Sequence, residues 1–296
     1  MIISDRASRR VLAVFAGAAV LAVAAAGCGT SLPSSVSRAP VLSVATGLYP
    51  LAQIADLIGQ NKAVVTDVIP SGANPLSYQL TPAEKDQVRS SGLVIEIGGG
   101  FQPSFEAAAS AAGTVSKLRP AGAASPYVWL DPHTLSGFVT TVAAAMESAD
   151  PGAAPLYRQN AASLRAQISS LDISYSSTLS TCPDTTLITP DGAFATMAAS
   201  YGLKDIVVGA PSVASQIQAA TRALQAGRTT AVITEPWVDN SGVTAVAAAA
   251  NAKIHSLDTL AGPPSGGWPP GADYFGLMEQ NLSTLGSILG CASPSQ

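Results

Sequence analysis

From Val41 onward the chain alternates short β-branched runs with longer Ala- and Leu-rich stretches, a pattern that confines it to layered α/β folds with parallel strands. In the first half the spacing predicts strands at Val41–Ala45, Ala63–Ile69 and Leu93–Ile97, with a weaker fourth at Thr114–Leu118. In the second half it predicts Thr185–Thr189, Asp205–Val208, Thr230–Thr234 and Lys253–Leu257. Between the halves, after Asp150-Pro151, the residues Leu164, Ile168, Leu171, Tyr175 and Leu179 recur at spacings of 4, 3, 4 and 4. That stripe predicts one connecting helix of about 25–30 residues, roughly 40 Å long. The expected fold class is α/β, with two lobes that each carry a small parallel sheet flanked by helices and are joined by the long helix. The expected boundaries are 41–149 for the N-terminal lobe, 150–181 for the connector and 182–296 for the C-terminal lobe.

Upstream, Arg6, Arg9 and Arg10 precede an apolar run from Val11 to Ala26. The run is shorter than the ~20 residues of a membrane span but suits a signal-peptide core. It ends in Ala25-Ala26-Gly27-Cys28, which resembles the lipobox of bacterial lipoproteins. Residues 1–27 therefore read as a lipoprotein signal peptide, Cys28 as the lipidated new N-terminus, and 28–40 as a Ser/Pro-rich tether. The expected location is the outer face of the cell membrane, reached through a lipid anchor. The alternative is a plain secretory leader with an incidental cysteine, since Ala25 stands where an aliphatic residue is usual. Beyond Cys28 the sequence holds Cys182 and Cys291, an even pair in an exported chain, which predicts a disulfide. Two buried free thiols are the alternative.

Beyond residue 27 the chain has 12 basic residues against 18 acidic ones, which argues against a nucleic-acid partner. Its two histidines, His133 and His255, exclude a site built from three imidazoles. We find no G-x-S-x-G elbow, Walker-type loop, H-E-x-x-H or C-x-x-C, so nothing points to an enzyme. Gly98-Gly99-Gly100 lacks dinucleotide-fingerprint spacing and reads as a turn. His133 reads as a solvated first-turn residue after Asp131, and His255 as a packed strand residue.

Ligands of open α/β sheets sit at the carboxyl ends of strands, and three carboxylates follow strands there: Asp191, Glu235 and Asp258. Grouped carboxylates suit a hard or borderline cation, whose charge relieves their mutual repulsion. For Asp191 the competing role is N-capping of a helix over Gly192–Tyr201, and for Glu235 a purely structural one.

Several motifs, in order, resemble one family. They are Leu48-Tyr49-Pro50-Leu51, Ile69-Pro70-Ser71-Gly72-Ala73-Asn74-Pro75 with Leu80-Thr81-Pro82, Val128-Trp129-Leu130-Asp131-Pro132, Asp191-Gly192-Ala193-Phe194 with Tyr201-Gly202-Leu203, and Thr234-Glu235-Pro236. The chain is similar over 41–290 to the solute-binding lipoproteins of bacterial zinc and manganese ABC importers, the ZnuA/TroA-like proteins. The resemblance implies a monomer that holds one divalent ion, zinc or manganese, in the interlobe cleft for a membrane permease and its ATPase. It also implies a ligand set, and here the sequence departs from the family. Leu76 and Tyr127 stand at the two usual His positions, Asn74 replaces an acidic residue and Gln79 a Glu. Asp191 and Asp258 match the carboxylate ligands of the second lobe, with Tyr127, Asn74 and Glu235 as further oxygen donors. An ion that accepts a phenolate, such as ferric iron, would suit Tyr127 better than zinc. The opposing expectation is a fold that has lost metal capture and binds another solute or a protein partner.

Overall fold

The computed structural model describes residues 41–118, 125–209, 211 and 214–292. The predicted signal peptide, the lipidation at Cys28 and the tether lie outside the described residues. The first half runs β1 (Leu42–Thr46), α1 (Tyr49–Gly59), β2 (Ala63–Asp67), α2 (Pro82–Ser90), β3 (Leu93–Glu96), α3 (Pro103–Ala109), β4 (Val115–Lys117) and α4 (Pro132–Ala149). Its sheet has the order β2-β1-β3-β4 and is parallel throughout, with Val44 opposite both Val65 and Leu93 and Val94 opposite Val115. All four residues of β3 are buried, as expected of a central strand covered on both faces.

A single long helix follows, α5 (Ala154–Leu179), of 26 residues, or about 39 Å at 1.5 Å per residue. Tyr157, Ala161, Leu164, Ile168, Leu171, Tyr175 and Leu179 form its buried stripe, which lies in one continuous core cluster reaching from Leu42 to Leu289. Buried polar tips fasten both ends. The Tyr157 hydroxyl donates to the Lys62 carbonyl at 3.2 Å, and the Tyr175 hydroxyl to the Met278 carbonyl at 2.8 Å. The helix thus packs on α1, on α4 and on the C-terminal helix α9 (Tyr274–Ile288).

The second half comprises β5 (Thr186–Thr189), α6 (Ala195–Ser200), β6 (Lys204–Val207), α7 (Ala214–Gln225), β7 (Ala231–Thr234), α8 (Ser241–Ala250), β8 (Lys253–Ser256) and α9. β5 pairs with β6 and β7 with β8, both parallel, and β5 lies beside β7 without a shared ladder. The four strands therefore form two short ribbons side by side. Gly242, near the start of α8, permits the approach of the turn after β6. A Cβ there would stand 2.5 Å from the Val208 carbonyl oxygen and 2.7 Å from that of Gly209. Cys182 and Cys291 form the predicted disulfide, tying the end of α5 to the residues just past α9.

Asp67 closes β2 with its carboxyl largely enclosed. Burial raises its pKa to about 7, opposed by the Ile69 amide that donates to it. A carboxyl whose folded pKa lies above its unfolded value supports stability fully below the unfolded value and loses that support as pH climbs to the folded one. Stability should therefore fall between about pH 4 and pH 7 through this group. Asp67→Asn should match the parent near pH 3.5 and be more stable at pH 8 by about 2 kcal/mol, roughly half the full linkage because the residue is part-exposed. Chemical denaturation at both pH values checks this, and an equal or lower stability of the variant at pH 8 would refute it.

Candidate functional site

The carboxyl ends of the strands of both halves meet at one junction, where the predicted residues can be located. After β5, Asp191 enters a tight turn, Gly192 has φ 75°, and the Asp191 Oδ1 accepts the Ala193 amide at 2.9 Å. The helix α6 starts only at Ala195, so the capping role expected for Asp191 over Gly192–Tyr201 is not the one it has. A left-handed residue at 192 delays the helix and frees the other oxygen. That oxygen, Oδ2, accepts the Tyr127 hydroxyl at 3.1 Å. Tyr127 belongs to the first half and is packed edge-on to Phe101, with ring centroids 5.1 Å apart. Burial, followed by the charges of Asp191 and Glu235, pushes its phenol far above the usual tyrosine range. In the metal-free protein it stays protonated and donates to Asp191.

Glu235 follows β7 and is 2% exposed. Its backbone is clamped by Asn240, whose side chain accepts from the Glu235 amide at 2.9 Å and donates to its carbonyl at 2.8 Å. Both carboxyl oxygens are buried without a hydrogen-bond partner. Burial, then the Asp191 charge and the proton that a neutral Glu235 can share with it, then the Asp205 charge, raise its pKa well above the ordinary glutamate value. Asp205, inside β6, was not anticipated from the sequence. It accepts the Thr189 hydroxyl at 2.8 Å through Oδ1, while Oδ2 is buried without a partner, and burial lifts its pKa to about 6. An acid in the second position of the strand Lys204-Asp205-Ile206-Val207 was the available signal. None of the ion pairs among the described residues supplies Asp191, Asp205 or Glu235 with a cation.

The other candidates are engaged differently. Asn74 holds its own turn by accepting the Leu76 amide at 2.9 Å, and its amide crosses to the second half, donating to the Trp237 carbonyl at 3.0 Å. Leu76 is half-buried against the main core. Asp258 follows β8, and both its oxygens are occupied. Oδ1 accepts the Leu260 amide at 2.8 Å and Oδ2 the Trp268 indole N–H at 2.7 Å. Asp191 thus interacts with Tyr127, Glu235 and Asp205, while Asp258 is held by its own loop. Among the described residues no three His, Cys, Asp or Glu side chains are gathered closely enough to hold a metal ion as they stand. His133 lies at the start of α4, exposed and 3.5 Å from Asp172, and His255 lies within β8, so neither joins the junction.

Two helix-flanked sets of parallel strands, a long helix fastened to both, and buried acids at the facing strand ends define a two-lobed solute-binding protein. The chain belongs to the family described as "Zinc-uptake complex component A periplasmic", whose profile matches residues 44–287. Members of this family are extracytoplasmic components of metal-ion uptake systems that act with an ABC permease and ATPase, and they are not enzymes. The chain is 25% identical over 300 residues to the high-affinity zinc uptake system protein ZnuA of Bacillus subtilis, covering 90% of this chain and 94% of that protein. It is 28% identical over 179 residues to the iron-binding protein YfeA of Yersinia pestis, covering 55% of this chain and 58% of that one. Its fold is that of a manganese-bound mutant of a periplasmic metal-binding protein from Candidatus Liberibacter asiaticus. The TM-score is 0.74 at 16% identity, over 84% of this chain and 99% of that one.

Proposed function

We propose that the chain is the capture component of a divalent-metal uptake system, anchored through lipid on Cys28 and acting as a monomer. In this reading the ion is taken by Asp191 and Glu235, with Asp258, Tyr127 and Asn74 as secondary oxygen donors at the interlobe junction. The observation that carries it is the Glu235 carboxyl, buried beside Asp191 with neither oxygen partnered. A buried carboxyl with so few partners is costly, and a cation bridging it to Asp191 would take the place of the proton that otherwise relieves their mutual repulsion. The donors are oxygens rather than imidazoles or thiolates, which favours a hard ion such as Mn²⁺ over tightly held Zn²⁺. Relatives named for zinc, iron and manganese fit a fold whose ion is set by the side chains at this junction.

The test is thermal unfolding of metal-stripped protein against Mn²⁺, Zn²⁺ and a chelator control. A ligand at a hundredfold excess over its Kd stabilises by about 2.7 kcal/mol when it binds the folded state alone. The expected result is a saturable, chelator-reversible rise that is largest for Mn²⁺ and lost in Asp191→Ala. No rise for any ion would transfer the assignment to the competing reading, a fold that binds another solute or a protein partner.

A further inference from the structure

The segment after β8, residues 257–273, is rich in Gly and Pro and crosses from the second half to the first. Its backbone is fastened there by hydrogen bonds from the other side of the junction. The Gly72 amide donates to the Pro263 carbonyl at 2.9 Å, the Tyr49 amide to Ala261 at 3.3 Å, and the Ser71 hydroxyl to Pro264 at 3.4 Å. Pro75 lies against Gly262, with its Cγ 3.0 Å from where a Cβ would stand. The segment then returns to its own origin. Trp268, half-buried, meets the Tyr49 ring edge-on at 4.5 Å between centroids and donates its indole N–H to Asp258 Oδ2 at 2.7 Å. Asp258 itself is fixed in the backbone by Asn281, which accepts its amide at 3.0 Å and donates to its carbonyl at 2.7 Å. Its side chain also holds the Leu260 amide, where the backbone is left-handed at φ 53° for a residue that disfavours it.

We infer that residues 258–268 are a strap closed across the two lobes, and that Trp268 is its latch, held on an Asp258 oxygen whose charge a captured cation would share. An indole N–H presents the positive end of its dipole, so it and a cation repel one another over the same carboxylate. An Asp258 oxygen that accepts the indole keeps a second lone pair, so a cation that reaches it shares the carboxylate charge with the N–H, and Trp268 thereby lowers the affinity that Asp258 contributes. The Leu260 backbone, strained while the Asp258 turn is closed, relaxes in the opened strap. The second half of this inference rests on the cation reading above, and the first half does not.

Trp268→Phe keeps a ring against Tyr49 and removes the N–H alone, so full-length protein with this change tests both halves. Hydrogen exchange should quicken about tenfold at the amides of Leu260 and Gly72, the loss of one hydrogen bond to a charged group, while the Asp258 amide on Asn281 stays unchanged. Mn²⁺ and Zn²⁺ titrations should give a Kd about tenfold lower than the parent's. Unchanged exchange at Leu260 and Gly72 would overturn the latch whatever the metal result. Faster exchange with equal or weaker metal binding would overturn the competition for Asp258. Faster exchange with no binding by either protein would sink the cation reading and with it the competition, leaving the latch itself upheld.

Discussion

Trp129→Ala should lower stability by about 5 kcal/mol, the sum of a large-to-small core change and a buried carbonyl left without its donor. Trp129 is fully buried and packs near Tyr127 and Phe101, with centroids 5.3 and 6.0 Å away. Its indole N–H donates to the Thr259 carbonyl at 2.7 Å, and its own carbonyl accepts the Tyr274 hydroxyl. One residue of the first half thereby positions the backbone beside Asp258 and the start of α9. Against a total stability of about 5–15 kcal/mol for a typical domain, such a loss takes a large share. Melting should fall by about 10–20 °C at roughly 2–4 °C per kcal/mol. Trp129→Phe retains most of the ring but orphans the Thr259 carbonyl, and should cost only about 1–3 kcal/mol. Comparing the two by calorimetry separates packing from the hydrogen bond. A melting point for Trp129→Ala within a few degrees of the parent would show that the junction repacks, against the keystone role given to this residue.

The architecture was legible because it depends on periodicity. Each of the eight strands occupies its predicted run, with ends moved by no more than two residues, as when β2 stops at Asp67 rather than Ile69. The α5 stripe was legible for the same reason, since a helix packed on both lobes must keep one apolar face along its length. Asp191 and Glu235 could be singled out because they come within two residues of a strand end, where the topology leaves a side chain at the edge. Other features followed no period. The Asp258–Trp268 bond joins residues ten apart through a Gly/Pro-rich loop, and no repeating pattern signals which indole such a loop returns. Asp205 lies within a strand rather than after one, so the strand-end rule does not reach it, although an acid there must face either water or another polar group. The capping alternative for Asp191 supposes a continuous helix over Gly192–Tyr201, whereas a left-handed Gly192 displaces the start to Ala195.

Glu235→Gln should reverse sign between the metal-free and metal-loaded protein, and this separates a cation site from a buried acid of no use. In the metal-free parent, the Glu235 pKa is raised well above 4.5, first by burial and then by Asp191 and Asp205. Its contribution to stability is therefore complete below about pH 4.5 and is lost as pH rises toward the folded-state value. The amide does not titrate, so metal-free Glu235→Gln should equal the parent near pH 4. It should exceed it increasingly at higher pH, by up to about 1.4 kcal/mol per pH unit for one proton. With Mn²⁺ the order inverts at pH 7.5. A cation must displace the Glu235 proton, so it binds the parent better as pH rises, whereas the neutral amide offers one weak oxygen and no charge. Saturating Mn²⁺ should thus stabilise the parent by about 3 kcal/mol at a few hundredfold over Kd and the variant by almost nothing. Melting curves at pH 4, 6 and 7.5, with and without Mn²⁺, contain both comparisons. A variant that keeps the parent's full Mn²⁺ response would remove Glu235 from the site. A variant that is less stable than the parent when metal-free at pH 7.5 would show that the carboxyl is satisfied in the closed protein, and that its burial carries no unspent charge for a cation to claim.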